Sequence, residues 1–334
     1  MHEIIHRVVS PNFKIIENSD NAKYRFDKRT IRLLGLLDIY NNRQNIEILF
    51  VMNYVPVAVV TGATRGIGKA IASKLSKEGL SCILIGSTEQ SINQIKPQEH
   101  LHFVNPYQRH RALAIDLSHW PQWTINCSGK FPGIDFQSDS IDKIHKGNYR
   151  IVPKVNEQFW ETPKTHYYMS LLVNCAGIAQ HSLSLRTPSD QIARIMNLNF
   201  ASCVSLCNLA TKQMMKTVRL DLENKHCIPK YVSPCIINMS SILGEPQMTI
   251  PGTTVYSASK AALTQYTRVL TQETMTWGIR AESLSPGLVT GTDMTNEMGP
   301  TAKEQLIDTL IGLPTHTPQE IADKVWQIYS GKND

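Results

Sequence analysis

The chain has 334 residues, 42% of them hydrophobic, with 34 Lys+Arg against 28 Asp+Glu and a formal net charge of +6. That length supports one large α/β domain or two ordinary ones, and the composition excludes a chain disordered throughout. The longest apolar stretch, 46–60, is interrupted by Glu47, Asn53 and Pro56, which excludes a membrane span; with no block of Lys/Arg, nothing points to nucleic acid.

Residues 1–51 differ in character from the rest of the chain. They mix Asn, Arg, Asp and Ile, and carry Glu3, Glu17, Asp20, Asp27, Asp38 and Glu47 beside eight Lys/Arg. A mitochondrial presequence is basic and poor in acids, so this segment makes a poor one. It is expected to be a leader dispensable for the chemistry, either partly disordered or upstream of a start at Met52. From Val57 onward, β-branched runs alternate with helical segments. Strands are expected at 57–61, 82–85, 112–115, 171–174, 235–239 and 280–284. Between them lie helices such as 68–78, where Ile67, Ile71 and Leu75 recur every four residues and Gly79 stops the helix. Thr317-Pro318-Gln319-Glu320 is a capping box with Pro at the first helical position, opening a last helix through Ile328. Strand and helix alternating six times predict a Rossmann-type, doubly wound parallel sheet flanked by helices. The irregular stretch 118–166 is expected to be a surface insertion in the 52–334 domain. Seven cysteines, an odd number with no C-x-x-C pair, read as reduced thiols; no metal site is expected.

Thr61-Gly62-Ala63-Thr64-Arg65-Gly66-Ile67-Gly68 joins the first strand to the first helix. Its glycines let the backbone approach a pyrophosphate, and the helix amino end offers N–H groups and a positive dipole. The bland alternative is a glycine-rich turn that binds nothing. Arg65 within the turn can meet a 2′-phosphate bidentately, and Ile85-Gly86-Ser87-Thr88 after the second strand has no acid to hold a ribose 2′-hydroxyl. Both features favour NADPH, against a merely solvated arginine. Tyr256 and Lys260 are four residues apart on a helical stretch, so phenol and ammonium share a face. A cation there stabilises a phenolate and suits the phenol to proton transfer. Taken alone, Y-x-x-x-K is common on ordinary helices. Ser240-Ser241 comes after the fifth strand at its carboxyl end, where parallel sheets place ligands; alone, it reads as a turn-forming pair. No G-x-S-x-G elbow is present to support a hydrolase.

In this order the motifs resemble the short-chain dehydrogenase/reductase family from about Val57 to Ser330. The resemblance assigns the glycine turn, Ser87, Asp116 (adenine side), Asn174, Ala176 and Gly177 of Asn174-Cys175-Ala176-Gly177, Pro286, Gly287, Val289 and Thr292 to the cofactor. Cys175 departs from the usual residue. Asn199, with Asn197 as the alternative, matches the helix asparagine of a catalytic tetrad completed by Ser241, Tyr256 and Lys260. Ser241 is chosen over Ser240 because Gly244 is spaced from it as in S-x-x-G. A closer resemblance, including the Trp-Pro-x-Trp at 120–123, is to fungal mitochondrial 3-oxoacyl-[acyl-carrier-protein] reductases.

That resemblance implies NADPH-dependent reduction of a 3-oxoacyl group on acyl carrier protein. Tyr256 is then the proton donor and Ser241 the carbonyl's hydrogen-bond partner. Lys260 holds the ribose, and Asn199 anchors a relay water. It also implies a mitochondrial matrix location and a homo-oligomer, a tetramer or a dimer. Lys212, Lys216 and Arg219 form one helical stripe, either a docking face for the acidic carrier or a solvated surface. Two alternatives are a reductase of steroids, quinones or small ketones and a catalytically silent dinucleotide-binding subunit.

Overall fold

The period of two in the first strand sets the architecture, because its alternate residues enter two different cores. Val57 and Val59 pack in one apolar cluster and Ala58 and Val60 in the other, all of them fully buried. A strand buried on both faces belongs to the middle of a sheet covered by helices on each side. The computed structural model describes residues 53–95, 100–126, 149–151, 165–223, 232–296 and 315–331, and the leader expected at 1–51 lies outside them.

In chain order the strands are β1 (Asn53–Thr61), β2 (Ser81–Gly86), β3 (Arg111–Ala114), β4 (Tyr149–Ile151), β5 (Thr165–Asn174), β6 (Cys235–Met239) and β7 (Arg280–Leu284). The helices are α1 (Gly66–Lys77), α2 (Glu89–Asn93), α3 (Gln122–Asn126), α4 (Ser189–Met196), α5 (Ser202–Glu223), α6 (Thr254–Met275), α7 (Asp293–Asn296) and α8 (Pro318–Ser330). The sheet order is β4-β3-β2-β1-β5-β6-β7, a six-stranded parallel Rossmann sheet with one addition. β1 and β5 lie side by side although three strands separate them in sequence, which makes their carboxyl ends the switch point where such sheets bind ligands. Helices α1 and α8 pack together over one face, with Ile71, Leu75, Ile321 and Val325 in that core. Leu206, Cys207, Ala210 and Met214 of α5 fill the other. The capping box that opens α8 is formed as expected, Thr317 and Glu320 each bonding the other's backbone N–H.

Two expectations are corrected. The stretch 118–166 does not begin as a surface excursion: Trp123 is buried, its indole N–H donates to Ser202 Oγ at 3.2 Å, and Trp120 donates to Ser205 Oγ at 2.9 Å. Two tryptophans carry enough apolar area to hold this segment on α5 whatever its polar neighbours. Further on, β4 pairs antiparallel with β3, extending the sheet by a strand that a Lys-, Gly- and Asn-rich context concealed. β5 also starts earlier than expected, at Thr165, with Tyr167, Tyr168 and Met169 buried.

Candidate active site

The cleft at the switch point is built by close backbone approaches. Thr61 Oγ1 accepts from the N–H groups of Cys175 and Ala176, each at 2.9 Å, tying the end of β1 to the turn after β5. A Cβ on Gly62 would lie 2.9 Å from Ala176 Cα, and one on Gly68 would lie 2.3 Å from Gly62 O. These two glycines therefore hold the turn against its neighbours, and Gly66, with φ +53°, gives it its bend.

A dinucleotide fits the amino end of α1. Arg65 at the N-cap makes no side-chain capping bond and the first turn has no acid, so its N–H groups are left for an anion. A Cβ on Gly66 would lie 3.8 Å from Thr292 Cγ2. Thr64 packs where a Cβ on Gly86 would stand. Ser87 is exposed directly after β2, and no acid comes after it before Glu89. Arg65 donates to Asp293 at 2.7 Å in an exposed ion pair. Such a pair contributes at most about 1 kcal/mol, so a phosphate can displace it.

The catalytic candidates converge from three elements. Tyr256 and Lys260 lie on α6 and are both buried, with the ammonium 5.9 Å from the Tyr256 ring centre. Lys260 Nζ donates to the carbonyl of Met239 at 2.8 Å, which holds it at the end of β6. Both serines border the cleft, and they differ in their bonds. Ser240 bonds Lys260 O at 3.0 Å and Thr264 Oγ1 at 2.7 Å inside the fold. Ser241 caps the short turn Ile242–Gly244, accepts from Leu243 N at 3.2 Å and faces the same cleft as Tyr256. Gly244 is needed because a Cβ there would sit 2.9 Å from the α6 backbone at Lys260 and Ala261. S-x-x-G is thus the signature of a serine turn pressed against the lysine's helix. Pro286 O accepts from Ile242 N at 2.9 Å, and Gly287, Val289 and Thr292 line the cleft opposite.

Three of the expected residues are also held by bonds within the fold. Asn174 is 1% exposed and donates to Asn238 Oδ1 at 2.8 Å, and Asn238 in turn donates to Thr267, so it braces β5, β6 and α6. Asn199 sits in a wide π-type turn, Asn197–Ala201, between α4 and α5. Its amide donates to Ile178 O at 3.0 Å and Ser259 Oγ at 3.1 Å, and accepts from Ile178 N at 3.0 Å. Both its protons are engaged, so the side chain clamps the turn after β5, and a relay water would meet this residue through an oxygen acceptor. Asn197 turns to the carbonyls of Ser118 and Trp120 instead. Asp116 binds Ser118 through one oxygen, at 2.7 and 3.0 Å, which organises its own turn. Gly177 does face the catalytic groups: a Cβ there would stand 3.4 Å from Lys260 Nζ and 3.3 Å from Asn199 Oδ1. Sequence reasoning missed the Met239 carbonyl, Asp293 as the partner of Arg65, and Gln180, whose amide reaches the start of α6. No local pattern marks any of them.

Comparison with known proteins agrees with this geometry. The short chain dehydrogenase family matches residues 56–124 and 152–303. Carbonyl reductase family member 4 of Xenopus laevis is 27% identical over 270 residues, 80% of this chain and 89% of that protein. The 3-oxoacyl-[acyl-carrier-protein] reductase FabG of Chlamydia muridarum is 25% identical over 268 residues, 79% of this chain and 86% of its own. Among solved structures, 4-hydroxyisoleucine dehydrogenase complexed with NADH has a TM-score of 0.56 at 19% identity, covering 82% of this chain and 90% of that one. The family match runs from within β1 to the segment after β7, interrupted at 125–151, where β4 lies; the chain belongs to the short-chain dehydrogenase family and is an oxidoreductase.

Proposed function

We propose that the protein uses NADPH to reduce 3-oxoacyl groups carried on acyl carrier protein to 3-hydroxyacyl groups. The observation that carries the chemistry is the burial of Lys260 beside Tyr256, with Ser241 facing the same cleft. The reading of the substrate is supported by reductases of that name among the relatives. Arg65 in the glycine turn, with no acid at Ser87 or Thr88, supports NADPH over NADH.

NADPH, when bound, supplies the hydride to the 3-keto carbon. Tyr256 gives its phenolic proton to the alkoxide that forms as the carbonyl π electrons move to oxygen. Ser241, whose oxygen accepts from Leu243 N, directs its own proton to the same oxygen. A preorganised donor at such an oxygen contributes about 3–4 kcal/mol. Lys260 is held by Met239 O with two further protons for a ribose. Lys212 and Lys216, both exposed on α5, offer an acidic carrier a basic face. By the same resemblance the setting is mitochondrial fatty acid synthesis and the working assembly a homo-oligomer.

A second reading, reduction of other carbonyl compounds, is favoured by the carbonyl reductase relatives. The experiment is NADPH oxidation by the full chain and by protein begun at Met52. Acetoacetyl-acyl carrier protein is compared with a panel of small ketones, steroids and quinones, and NADPH with NADH. NADPH-selective turnover of the carrier-bound substrate is expected. Turnover confined to free ketones, steroids or quinones overturns the substrate, and tight NADPH binding without turnover overturns the activity.

A further inference from the structure

Helix α6 begins in an unusual way. Thr253 occupies its N-cap position, yet its side chain makes no capping bond to the first turn. The Thr253 hydroxyl donates instead to Ile250 O at 2.8 Å and meets Ser257 Oγ at 3.0 Å. The first-turn N–H groups of a helix have no partner within it, and leaving them buried and unmet is costly. Here two of them are met by a side chain about 75 residues earlier in the chain. Gln180 Oε1 accepts from Val255 N at 2.6 Å and from Tyr256 N at 3.2 Å.

The other end of the same amide is equally engaged. Gln180 Nε2 donates to Ser182 O at 2.8 Å and to Thr187 Oγ1 at 2.9 Å. Two protons are donated and two are accepted, which exhausts the capacity of a side-chain amide. The side chain is 1% exposed. Although it stands at the cleft wall, it has nothing left to offer a substrate. Its orientation is fixed as well, because backbone N–H groups must face its oxygen and a backbone carbonyl its nitrogen. On the far side, a Cβ on Gly252 would lie 3.9 Å from the Ser182 backbone, so the segment before α6 lies against the loop after β5.

We propose that Gln180 is a positioning residue for Tyr256, a strut that fixes the amino end of the catalytic helix to the loop after β5. This rests on the reading of Tyr256 as the proton donor. The backbone N–H of Tyr256 is itself one of the strut's bonds, so any relaxation there moves the phenol relative to Lys260 and Ser241. The lysine is anchored independently, one helical turn further on, by Met239 O. Losing the strut therefore disturbs the proton donor more than the rest of the site.

The test compares Gln180→Met, Gln180→Glu and Tyr256→Phe in the full chain, measuring kcat, KM, NADPH affinity by fluorescence, thermal stability and the pH profile of kcat. Glutamate keeps an acceptor for the two N–H groups, whereas methionine keeps only the bulk. Gln180→Met is expected to lower kcat about tenfold to a hundredfold, as misplacing a catalytic group does. Its NADPH affinity should change less than twofold and its pH profile should be displaced; Gln180→Glu should recover part of kcat. A kcat that falls only with the folded fraction, an unmoved pH profile, or Gln180→Glu no better than Gln180→Met overturns the strut. If Tyr256→Phe is fully active, the role of Tyr256 fails. If it is inactive while Gln180→Met is unaffected, only the strut fails.

Discussion

Acidification destabilises this fold through one buried imidazole. His110 is 1% exposed, its Nδ1 accepts from Cys82 N at 3.0 Å, its Nε2 donates to His102 O at 2.9 Å, and Phe103 packs edge-on with ring centres 4.6 Å apart. With Nδ1 acting as an acceptor, the ring is neutral, and burial holds its pKa down from 6.5 to about 4. The folded affinity for the proton is therefore lower than the unfolded one. Below 6.5 the unfolded chain takes up a proton that the folded chain refuses, so stability present above that pH is lost as pH falls toward 4. The loss from this group is about 2 kcal/mol between about pH 7.5 and pH 5, approaching about 3 kcal/mol below the folded pKa. Urea unfolding monitored by tryptophan fluorescence across this range reads it directly. In His110→Gln, whose amide titrates nowhere in the range, the slope should flatten. A wild-type curve flat from about pH 7.5 to about pH 5, or a variant with the parental slope, refutes the reasoning.

Four other outcomes are expected. Tyr256→Phe should cut kcat by about 10²–10⁴, with NADPH affinity, measured by fluorescence, changed less than twofold. Gly244→Ala forces a Cβ to 2.9 Å from the α6 backbone, which cannot swing aside as a side chain would. It should cost about 1–3 kcal/mol, seen in thermal unfolding, together with lower kcat. Arg65→Ala should raise the KM for NADPH about tenfold and leave that for NADH unchanged. Asp293→Asn, which frees the arginine, should tighten NADPH by no more than about fivefold.

The parts legible in the sequence are those decided by short-range pattern. Strand β6 is delimited by its apolar run, and α8 announces itself through Thr317, Pro318 and Glu320. The candidate constellation was legible because Tyr256 and Lys260 share one helix and the glycine turn is contiguous. The features that escaped depend on which polar atoms meet after folding. Asn174 and Thr61 belong to motif segments, yet tertiary partners engage their side chains: Asn238 for one, the Cys175 and Ala176 amides for the other. The bonds of Asn199 are likewise set by Ile178 and Ser259, which no local pattern names. Gln180 has no local signal, since the N–H groups it meets belong to Val255 and Tyr256. Strand β4 is too short for its alternation to register.

The three residues of β4 also bear on how the molecule keeps to itself. Without them, β3 would end the sheet and present its outer row of backbone donors and acceptors to any other strand. Arg111–Ala114 carries an apolar, buried centre at Ala112 and Leu113, the kind of edge that recruits a second chain. A very short antiparallel strand is a poor template for further pairing. At the opposite edge β7 carries the exposed Glu282, a charge that discourages further pairing in the same way. Strand β4 thus acts as a guard against aggregation, and trimming the chain to the family's bare outline would expose the sheet edge it covers.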